Sequence, residues 1–221
     1  MAKKNNAMQQ SARMMRVRQA REKAENEKTY KEKVGKLRLF PILALTVALI
    51  LLLLFFMDWA YVYNSDSGTE VSVTGFNCLV SGLSGNYEGT ESSIGDMAMP
   101  FYYYAKAESV TLSSITVATF FVLLAMIAAF ALASIKNKEY FIIAGLVLGV
   151  ALTGLLFVSY SVALSMKGAK ILSGYCEGNV KCSIRSEAIL PALLSLFSLA
   201  LPVTEIIRRA LLKKTYLSET K

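Results

Sequence analysis

Four apolar segments that carry almost no charge are the feature of this sequence that most restricts its fold. They cover residues 39–57, 110–134, 140–165 and 188–204. A helix rises about 1.5 Å per residue and needs about 17–25 residues to cross the hydrocarbon layer of a bilayer. All four segments reach that length, the last one narrowly. We therefore expect lipid to surround them, because a chain of 221 residues with 18% charged residues has too little polar surface to cover four such helices in water.

The first apolar segment does not have the pattern of a cleaved signal peptide. It is longer than the roughly 7–15 residues of a signal core, and it follows a charged stretch that covers residues 1–38. No small-x-small cleavage site follows it before Trp59. We interpret this segment as a retained helix.

Lysine and arginine are distributed unequally between the connections. Residues 1–38 carry 12 of the 24 basic residues, the link at 135–139 carries two, and the tail after Glu205 carries five. The other two connections share the remaining five. Because cytoplasmic flanks of membrane helices are enriched in Lys and Arg, we expect a multi-pass protein of the plasma membrane with both termini in the cytoplasm.

These observations predict an all-α membrane protein. Its expected form is a four-transmembrane-helix up-down bundle with a small extracellular β-sheet on the first outer loop. The predicted parts are a basic, partly helical cytoplasmic arm at 1–38, spanning helices at 39–58, 110–134, 140–165 and 188–207, extracellular loops at 59–109 and 166–187, a cytoplasmic turn at 135–139 and a basic tail at 208–221.

The sheet prediction rests on the residues that follow the first apolar segment. Trp59, Tyr61 and Tyr63 alternate with smaller residues, turn-forming residues occupy 64–68, and residues 70–74 alternate polar side chains with Val. This pattern predicts a hairpin whose aromatic side chains lie at headgroup level. The alternative is an irregular loop that places the same aromatics at the interface.

The apolar positions change phase at Gly75, after which Phe76, Cys78 and Val80 follow at alternate positions. A β-bulge within a continuing strand produces such a change. Further along this loop, a run of aromatic residues is a second candidate for the interface or for binding a partner. The extracellular interface candidates are Trp59, Tyr61, Tyr63, Phe76, Phe101, Tyr102, Tyr103 and Tyr104.

Cysteine spacing favours one disulfide. Five residues, including Gly178, separate Cys176 from Cys182, and they can close a disulfide-bonded turn on the oxidising side of the membrane. Cys78 is then a small buried side chain, although the other two pairings remain open. Three scattered thiols in a chain without histidine have no metal-ligand spacing, so we expect no metal and no other cofactor.

The absence of histidine also removes Ser-His-Asp catalysis, Cys-His catalysis and histidine proton shuttles. No Gly-rich phosphate-binding or dinucleotide-binding loop is present. An enzyme acting on lipid would need a carboxylate or thiol cluster at one interface, and Asp58 with Asp66 and Glu70 is the one such group. We expect no catalytic residues and a protein that is not an enzyme.

Small residues are more prominent than ionisable residues inside the apolar segments. Gly145 and Gly149, with Gly154 assigned to the same face, form a small-xxx-small motif that lets another helix approach closely, within the bundle or at an oligomer seam. Glu205 approaches the hydrocarbon in the fourth segment. Arg208 and Arg209 follow it at the spacing of an interfacial ion pair.

The basic arm at residues 1–38 has several interpretations. It is a solvated helix that enforces topology, a contact for anionic lipid of the inner leaflet, or a docking segment for a partner. Tyr30 is the one aromatic residue among the basic residues of the arm, so stacking on nucleic acid has little support and nucleic acid is not an expected partner. The cytoplasmic contact candidates are Arg13, Arg16, Arg18, Arg21, Lys36 and Arg38.

The leading functional hypothesis is a non-enzymatic integral membrane accessory or scaffold subunit. Its extracellular cap and basic arm would contact partner proteins in a larger membrane complex, so the expected partners are the lipid bilayer and other membrane subunits or further copies of the chain. The alternative is a transport or pore component for a neutral or weakly polar solute. Hydroxyl side chains of the second and third spanning helices, such as Thr153, would line that path.

The layout is similar to that of the claudin and peripheral-myelin-protein tetraspan superfamily, which has cytoplasmic ends, four helices, a first outer loop with strands and a smaller second loop. In that superfamily the first loop carries a Trp, a Gly-Leu-Trp element and two cysteines. Trp59 matches the first feature. Gly75, Phe76 and Cys78 match the second in part, with Asn77 in place of its Trp and no second cysteine in the loop. The resemblance implies an adhesion or barrier function as a further alternative.

Overall fold

The computed structural model describes residues 2–36, 38–64, 69–85, 106–168, 180–184 and 186–217. Its helices and strands follow one another along the chain as α1 (Ala2–Lys36), α2 (Leu39–Leu54), β1 (Asp58–Asn64), β2 (Thr69–Thr74), α3 (Gly75–Ser84), α4 (Lys106–Lys136), α5 (Glu139–Gly168), β3 (Val180–Ile184), a 3-10 turn (Ser186–Ile189), α6 (Leu190–Ser198) and α7 (Ala200–Leu217).

Four helical stretches of the described chain are long and apolar enough to cross a membrane. They are Arg13–Leu54, in which α2 supplies the apolar part, Ser109–Lys136, Glu139–Ser165 and Leu190–Leu217. The predicted number of such helices is confirmed. The fourth stretch is divided into α6 and α7 because Pro202 has no N–H to donate to the carbonyl four residues before it, at Ser198, where α6 ends.

The four stretches pack as a closed bundle. Helix α4 lies between α2 and α5, while α6 and α7 contact both α2 and α5 on the other side. Buried residues of α2 recur at helical spacing, at Ala44, Ala48, Leu51 and Phe55. They meet a core supplied by the other helices, which includes Leu123, Met126, Phe130, Leu152, Leu156 and Ala192.

The predicted hairpin is confirmed, and it belongs to a sheet of three antiparallel strands in the order β2-β1-β3. Tyr61 pairs with Ser72 of β2 and with Ser183 of β3, so both outer loops contribute to one sheet. Strand β3 was not predicted, because its alternation of Val180, Cys182 and Ile184 with polar residues covers only five positions. The register of β1 and β2 is irregular between Asp58 and Ala60, on either side of Trp59.

The predicted β-bulge at Gly75 is wrong, because helix α3 begins there. The Thr74 hydroxyl accepts a hydrogen bond from the Asn77 amide at 3.1 Å, which caps the first turn. The helix ends at Gly85, whose φ of +68° lies in the left-handed region that favours glycine. Alternate apolar residues at 76, 78 and 80 imitate a strand, but the capping threonine and the terminal glycine determine the local structure.

Several predictions concern residues outside the described ranges or side chains that the structure does not describe. Phe101, Tyr102, Tyr103, Tyr104, Cys176 and Asp66 lie outside the described residues. For Tyr61, Tyr63, Glu70, Cys182 and Lys36 only the backbone is described. The disulfide between Cys176 and Cys182 therefore stays a prediction.

Candidate functional site

A buried polar network closes the end of the bundle at which α4 turns into α5, which we call the turn end. Glu205 on α7 is fully buried, and its carboxylate accepts hydrogen bonds from two arginines. Arg209 Nε lies 2.6 Å from Oε1, and Arg208 Nε lies 2.7 Å from Oε2. These arginines are three and four residues along the helix, where side chains share a face. The ion pair predicted from this spacing is confirmed.

Asn137, in the turn between α4 and α5, connects this ion pair to the rest of the chain. Its φ is +53°, and its backbone N–H donates to the Ala133 carbonyl at 2.9 Å, which ends α4. Arg209 donates to both the backbone carbonyl and the side-chain Oδ1 of Asn137. The Asn137 Nδ2 in turn donates to the Val34 carbonyl at 3.2 Å. One asparagine therefore joins α7, the α4–α5 turn and the end of α1.

Two further cationic side chains hold the helices together at the turn end. Arg38 Nη1 donates to the carbonyls of Ser134 and Ile135, at 3.1 and 3.2 Å, in the last turn of α4. A cation is favourable at that position because the final carbonyls of a helix lack partners and carry partial negative charge. Lys33 of α1 donates to the Tyr216 hydroxyl of α7 and lies 4.8 Å from the centre of its ring.

The polar groups of the turn end serve a structural role, because they are bonded to one another and not exposed for chemistry. Three hydrogen bonds occupy the Glu205 carboxylate, and the side chain has no exposed surface from which to act on a substrate. Arg209 is 3% exposed and is bonded at both ends, to Glu205 and to Asn137. The network therefore joins the long helix α1 to the bundle and stabilises the junction.

The contact candidates of the arm lie on an exposed part of α1. Arg13, Arg16, Arg18 and Arg21 are all exposed, as are Met14, Met15 and Val17 between them. Among the side chains of α1 that the structure describes, Arg18 forms a surface ion pair with Glu22 and Lys31 forms one with Glu27. Arg38 differs from the other candidates because its guanidinium is bonded to the end of α4.

At the opposite end, which we call the sheet end, aromatic side chains cover the junction between α2 and the sheet. Trp59 donates from Nε1 to the Leu54 carbonyl at 3.3 Å and tilts against Phe55. A Cβ added to Gly75 would lie 2.6 Å from the Trp59 ring, so the start of α3 packs directly on the indole. Phe76 stacks on Phe56 with ring centres 5.3 Å apart. Trp59 and Phe76 thus lie at one junction.

The packing glycines fall on two different sides of α5. A Cβ on Gly145 would lie 2.4 Å from the Phe130 ring, and one on Gly149 would lie 2.8 Å from Leu199, so both permit close contact within the bundle. The assignment of Gly154 to that face is wrong, because nothing lies within 4 Å of a Cβ built there. At about 100° per residue, nine residues place Gly154 on the opposite side from Gly145.

Half of the buried hydroxyls of α4 and α5, those of the three threonines, are satisfied within their own helix. Thr116, Thr119 and Thr153 donate to the carbonyls four residues earlier at 2.7 to 2.8 Å. Ser109, Ser113 and Ser159 are buried with no hydrogen-bond partner for their hydroxyls in the structure. The threonines are therefore used locally, which gives no specific support to a hydroxyl-lined path for a solute.

The Cys78 thiol is expected to be nearly inert in the folded protein. It is fully buried in α3, and this burial raises its pKa from 9.0 to about 12, against a smaller lowering by a backbone hydrogen bond. Only the thiolate reacts with maleimides, and three units of pKa reduce its population roughly 1000-fold at neutral pH. With Cys176 and Cys182 replaced by serine, timed labelling and mass spectrometry should show slow modification that accelerates on denaturation. Equal rates before and after denaturation would contradict this burial.

Loss of the Asn137 side chain should loosen α1 and leave the bundle folded. Asn137→Gly keeps the left-handed turn accessible, because glycine adopts positive φ, but removes the bonds to Val34 and from the Arg209 Nη2 group. One net hydrogen bond is worth about 0.5–1.5 kcal/mol, so amide exchange over residues 30–36 should accelerate by roughly 2-fold to 12-fold. Exchange in α5 should not change. Equal acceleration in α5 would show that Asn137 supports the whole fold instead.

The described residues contain no group of three or more His, Cys, Asp or Glu side chains that could hold a metal ion. The fold thus defines a chain with four helices long and apolar enough to cross a membrane, a three-stranded sheet at one end and a buried ion-pair network at the other. Comparison with protein-family models, with curated proteins and with solved structures found no match to this chain. The likeness to the claudin superfamily therefore stays a prediction.

Proposed function

We propose that this chain is a non-enzymatic integral membrane accessory or scaffold subunit. Its four apolar stretches would cross the plasma membrane, with both termini in the cytoplasm. The sheet end would then form an extracellular cap and α1 a basic cytoplasmic arm, each available to partner proteins in a larger membrane complex.

The observation that carries this proposal is the attachment of an exposed helix to the bundle by a network with no other evident use. Helix α1 has 35 residues, and most described side chains between Arg13 and Lys33 are exposed. A helix that is polar all round packs poorly on its own chain and suits a bridging role between bodies. Asn137, Lys33 and the arginines of α7 nevertheless join its end to the bundle. Such an attachment holds the surface of the arm in place for a partner.

The composition of the arm favours a protein partner for its first part. Residues 2–21 carry six basic and no acidic residues, while residues 22–36 carry five basic and four acidic residues. Met14, Met15 and Val17, between 55% and 71% exposed, accompany the arginines. Methionine and arginine are enriched at protein interfaces, and no aromatic residue precedes Tyr30 to stack on bases. An acidic protein surface with apolar pockets complements this segment.

The proposal is tested by purification from the native membrane in a mild detergent, followed by mass spectrometry of the intact complex. We expect a stoichiometric partner. Combined substitution of Arg13, Arg16 and Arg18 by alanine should reduce its recovery. The matched control replaces Lys23, Lys28 and Lys31 with alanine, which removes the same charge and one surface ion pair from the second part of α1, leaves the Lys33 contact intact and should preserve recovery. A lone monomer without any stoichiometric partner would contradict the proposal.

A further inference from the structure

Measured from the turn end toward the sheet end, the helices of the bundle have unequal lengths. Hydrogen bonds from Arg38 to Ser134 and from Arg209 to Asn137 hold the turn ends of α2, α4 and α7 at a common level. From this level, the 15 residue steps of α2 between Leu39 and Leu54 rise about 22 Å, and the 18 steps between Arg208 and Leu190 rise about 27 Å. Ser109–Lys136 and Glu139–Ser165 have 28 and 27 residues, or about 40 Å each.

The extra length of α4 and α5 lies at the sheet end. Ring centres of Phe55 and Phe120 are 6.0 Å apart, so the end of α2 is level with Phe120, well inside α4. Helix α4 continues outward from there for 14 residues to Lys106, beside α3. A Cβ on Gly82 of α3 would lie 2.8 Å from the Ser113 carbonyl, which places α3 against this outer part of α4.

A bilayer cannot cover the full length of α4 without also covering the start of the sheet. Asp58 and its strand partner Thr74 lie where α2 ends, close to the level of Phe120. A carboxylate and open strand edges are unfavourable in hydrocarbon, which offers no hydrogen bonds. The hydrocarbon layer is about 30 Å thick, which is nearer to the rises of about 22 and 27 Å along the two shorter helical stretches than to the 40 Å of α4 and α5. Both facts put the outer boundary near Trp59.

The exposed side chains of α4 and α5 change from apolar to hydroxyl-bearing near this outer boundary. The contacts of Gly145 with Phe130 and of Gly149 with Met126 define an antiparallel register, which places Ser161 level with Ser114. Lys136 and Glu139 are exposed beside the turn itself, and from Ile135 and Tyr140 to this level the exposed residues are apolar except for the Tyr140 hydroxyl. They include Ala118, Phe121, Leu124, Ala125, Ala128, Val147, Val150, Gly154 and Val158. Beyond it, exposed hydroxyls occur at Thr111, Ser114, Ser161 and Ser165.

We propose that lipid acyl chains surround this bundle only from the turn end to the level of Trp59. The outer ends of α4, up to Val117, and of α5, from Ser159, then stand outside the hydrocarbon. Together with α3 and the three strands they form a rigid outer cap whose side wall bears the exposed hydroxyls of Thr111, Ser114, Ser161 and Ser165. This inference rests on the proposed membrane function and specifies which parts of α4 and α5 are exposed to water.

The test is cysteine accessibility in sealed proteoliposomes of phosphatidylcholine, with a charged maleimide present on both faces so that orientation does not matter. Ser114→Cys and Ser161→Cys report on the outer wall, and Phe121→Cys and Val150→Cys report on the lipid belt. Each is made with Cys176 and Cys182 replaced by serine, while the buried Cys78 is retained. Lys138→Cys, in the exposed turn, gives the reference rate in water.

We expect Ser114→Cys and Ser161→Cys to react within about 10-fold of Lys138→Cys, and the two belt positions to react at least roughly 100-fold more slowly, because a thiol in hydrocarbon forms little thiolate. Slow reaction at all four positions, with fast reaction at Lys138→Cys, would overturn the inference and leave the membrane proposal standing. Fast reaction at Phe121→Cys and Val150→Cys would instead overturn the membrane proposal itself.

Discussion

Substitution of Glu205 by glutamine is expected to destabilise the protein by about 3–5 kcal/mol. The variant keeps the size of the side chain but removes the negative charge that Arg208 and Arg209 share. Arg209 is 3% exposed and cannot turn to water, so its positive charge would remain buried without a counter-charge. Thermal unfolding in detergent, followed by circular dichroism at one fixed detergent concentration, measures the effect.

The control for this prediction is an ion pair on the surface of α1. Glu27 lies 3.1 Å from Lys31, and their side chains are 52% and 73% exposed. Exposed pairs at this spacing contribute about 0.3–0.5 kcal/mol, so Glu27→Gln should leave the unfolding temperature almost unchanged. Equal stability losses in Glu27→Gln and Glu205→Gln would show that the turn end is not held by its buried carboxylate.

Substitution of Gly145 by leucine is the second change with a large expected effect. The Cβ alone would overlap the Phe130 ring at 2.4 Å, and Phe130 is itself buried at 4% exposure in the core. Overpacking a core typically costs about 1–3 kcal/mol, and here α4 and α5 must separate to admit the side chain. Unfolding temperature and the fraction of monodisperse protein after purification both measure this loss.

The matched control is the same substitution at Gly154, on the same helix. Nothing lies within 4 Å of a Cβ at that position, so Gly154→Leu should preserve stability or raise it by up to about 1 kcal/mol, since leucine favours helix more than glycine does. The prediction fails if Gly145→Leu unfolds at the same temperature as Gly154→Leu. Loss of an oligomer in Gly154→Leu alone would instead place a seam between copies on the outward side of α5.

The long apolar helices were predictable because their signal is carried by many residues at once. Four stretches of at least 17 residues with almost no charge leave few alternatives, and single errors of one or two residues at their ends do not matter. The ion pair was also predictable, because Glu205, Arg208 and Arg209 lie within about one turn of the same helix. Its burial was not known from the sequence.

Features that depend on distant parts of the chain were not predictable. Asn137 is an ordinary turn residue in the sequence, and its bonds to Val34 and Arg209 come from residues 103 and 72 positions away. Strand β3 alternates apolar and polar residues over only five positions, and its pairing with β1 joins two segments that lie far apart in the sequence. The segment of helix α3 was predicted to continue the strand, because three apolar residues at alternate positions favour a strand. The one signal for a helix start was a single residue, the capping threonine Thr74.

The most direct test of this account is protease protection in sealed membrane vesicles of both orientations. Tags at the two ends report whether residues 1–38 and 208–221 are cut. We predict that both ends are protected in right-side-out vesicles and both are cut in inverted vesicles. Four spanning helices, as proposed, would leave both ends on the same side, and the excess of Lys and Arg in the flanks favours the cytoplasm. Cleavage of one end alone in either preparation, or a purified chain that stays dissolved without detergent, would contradict the account.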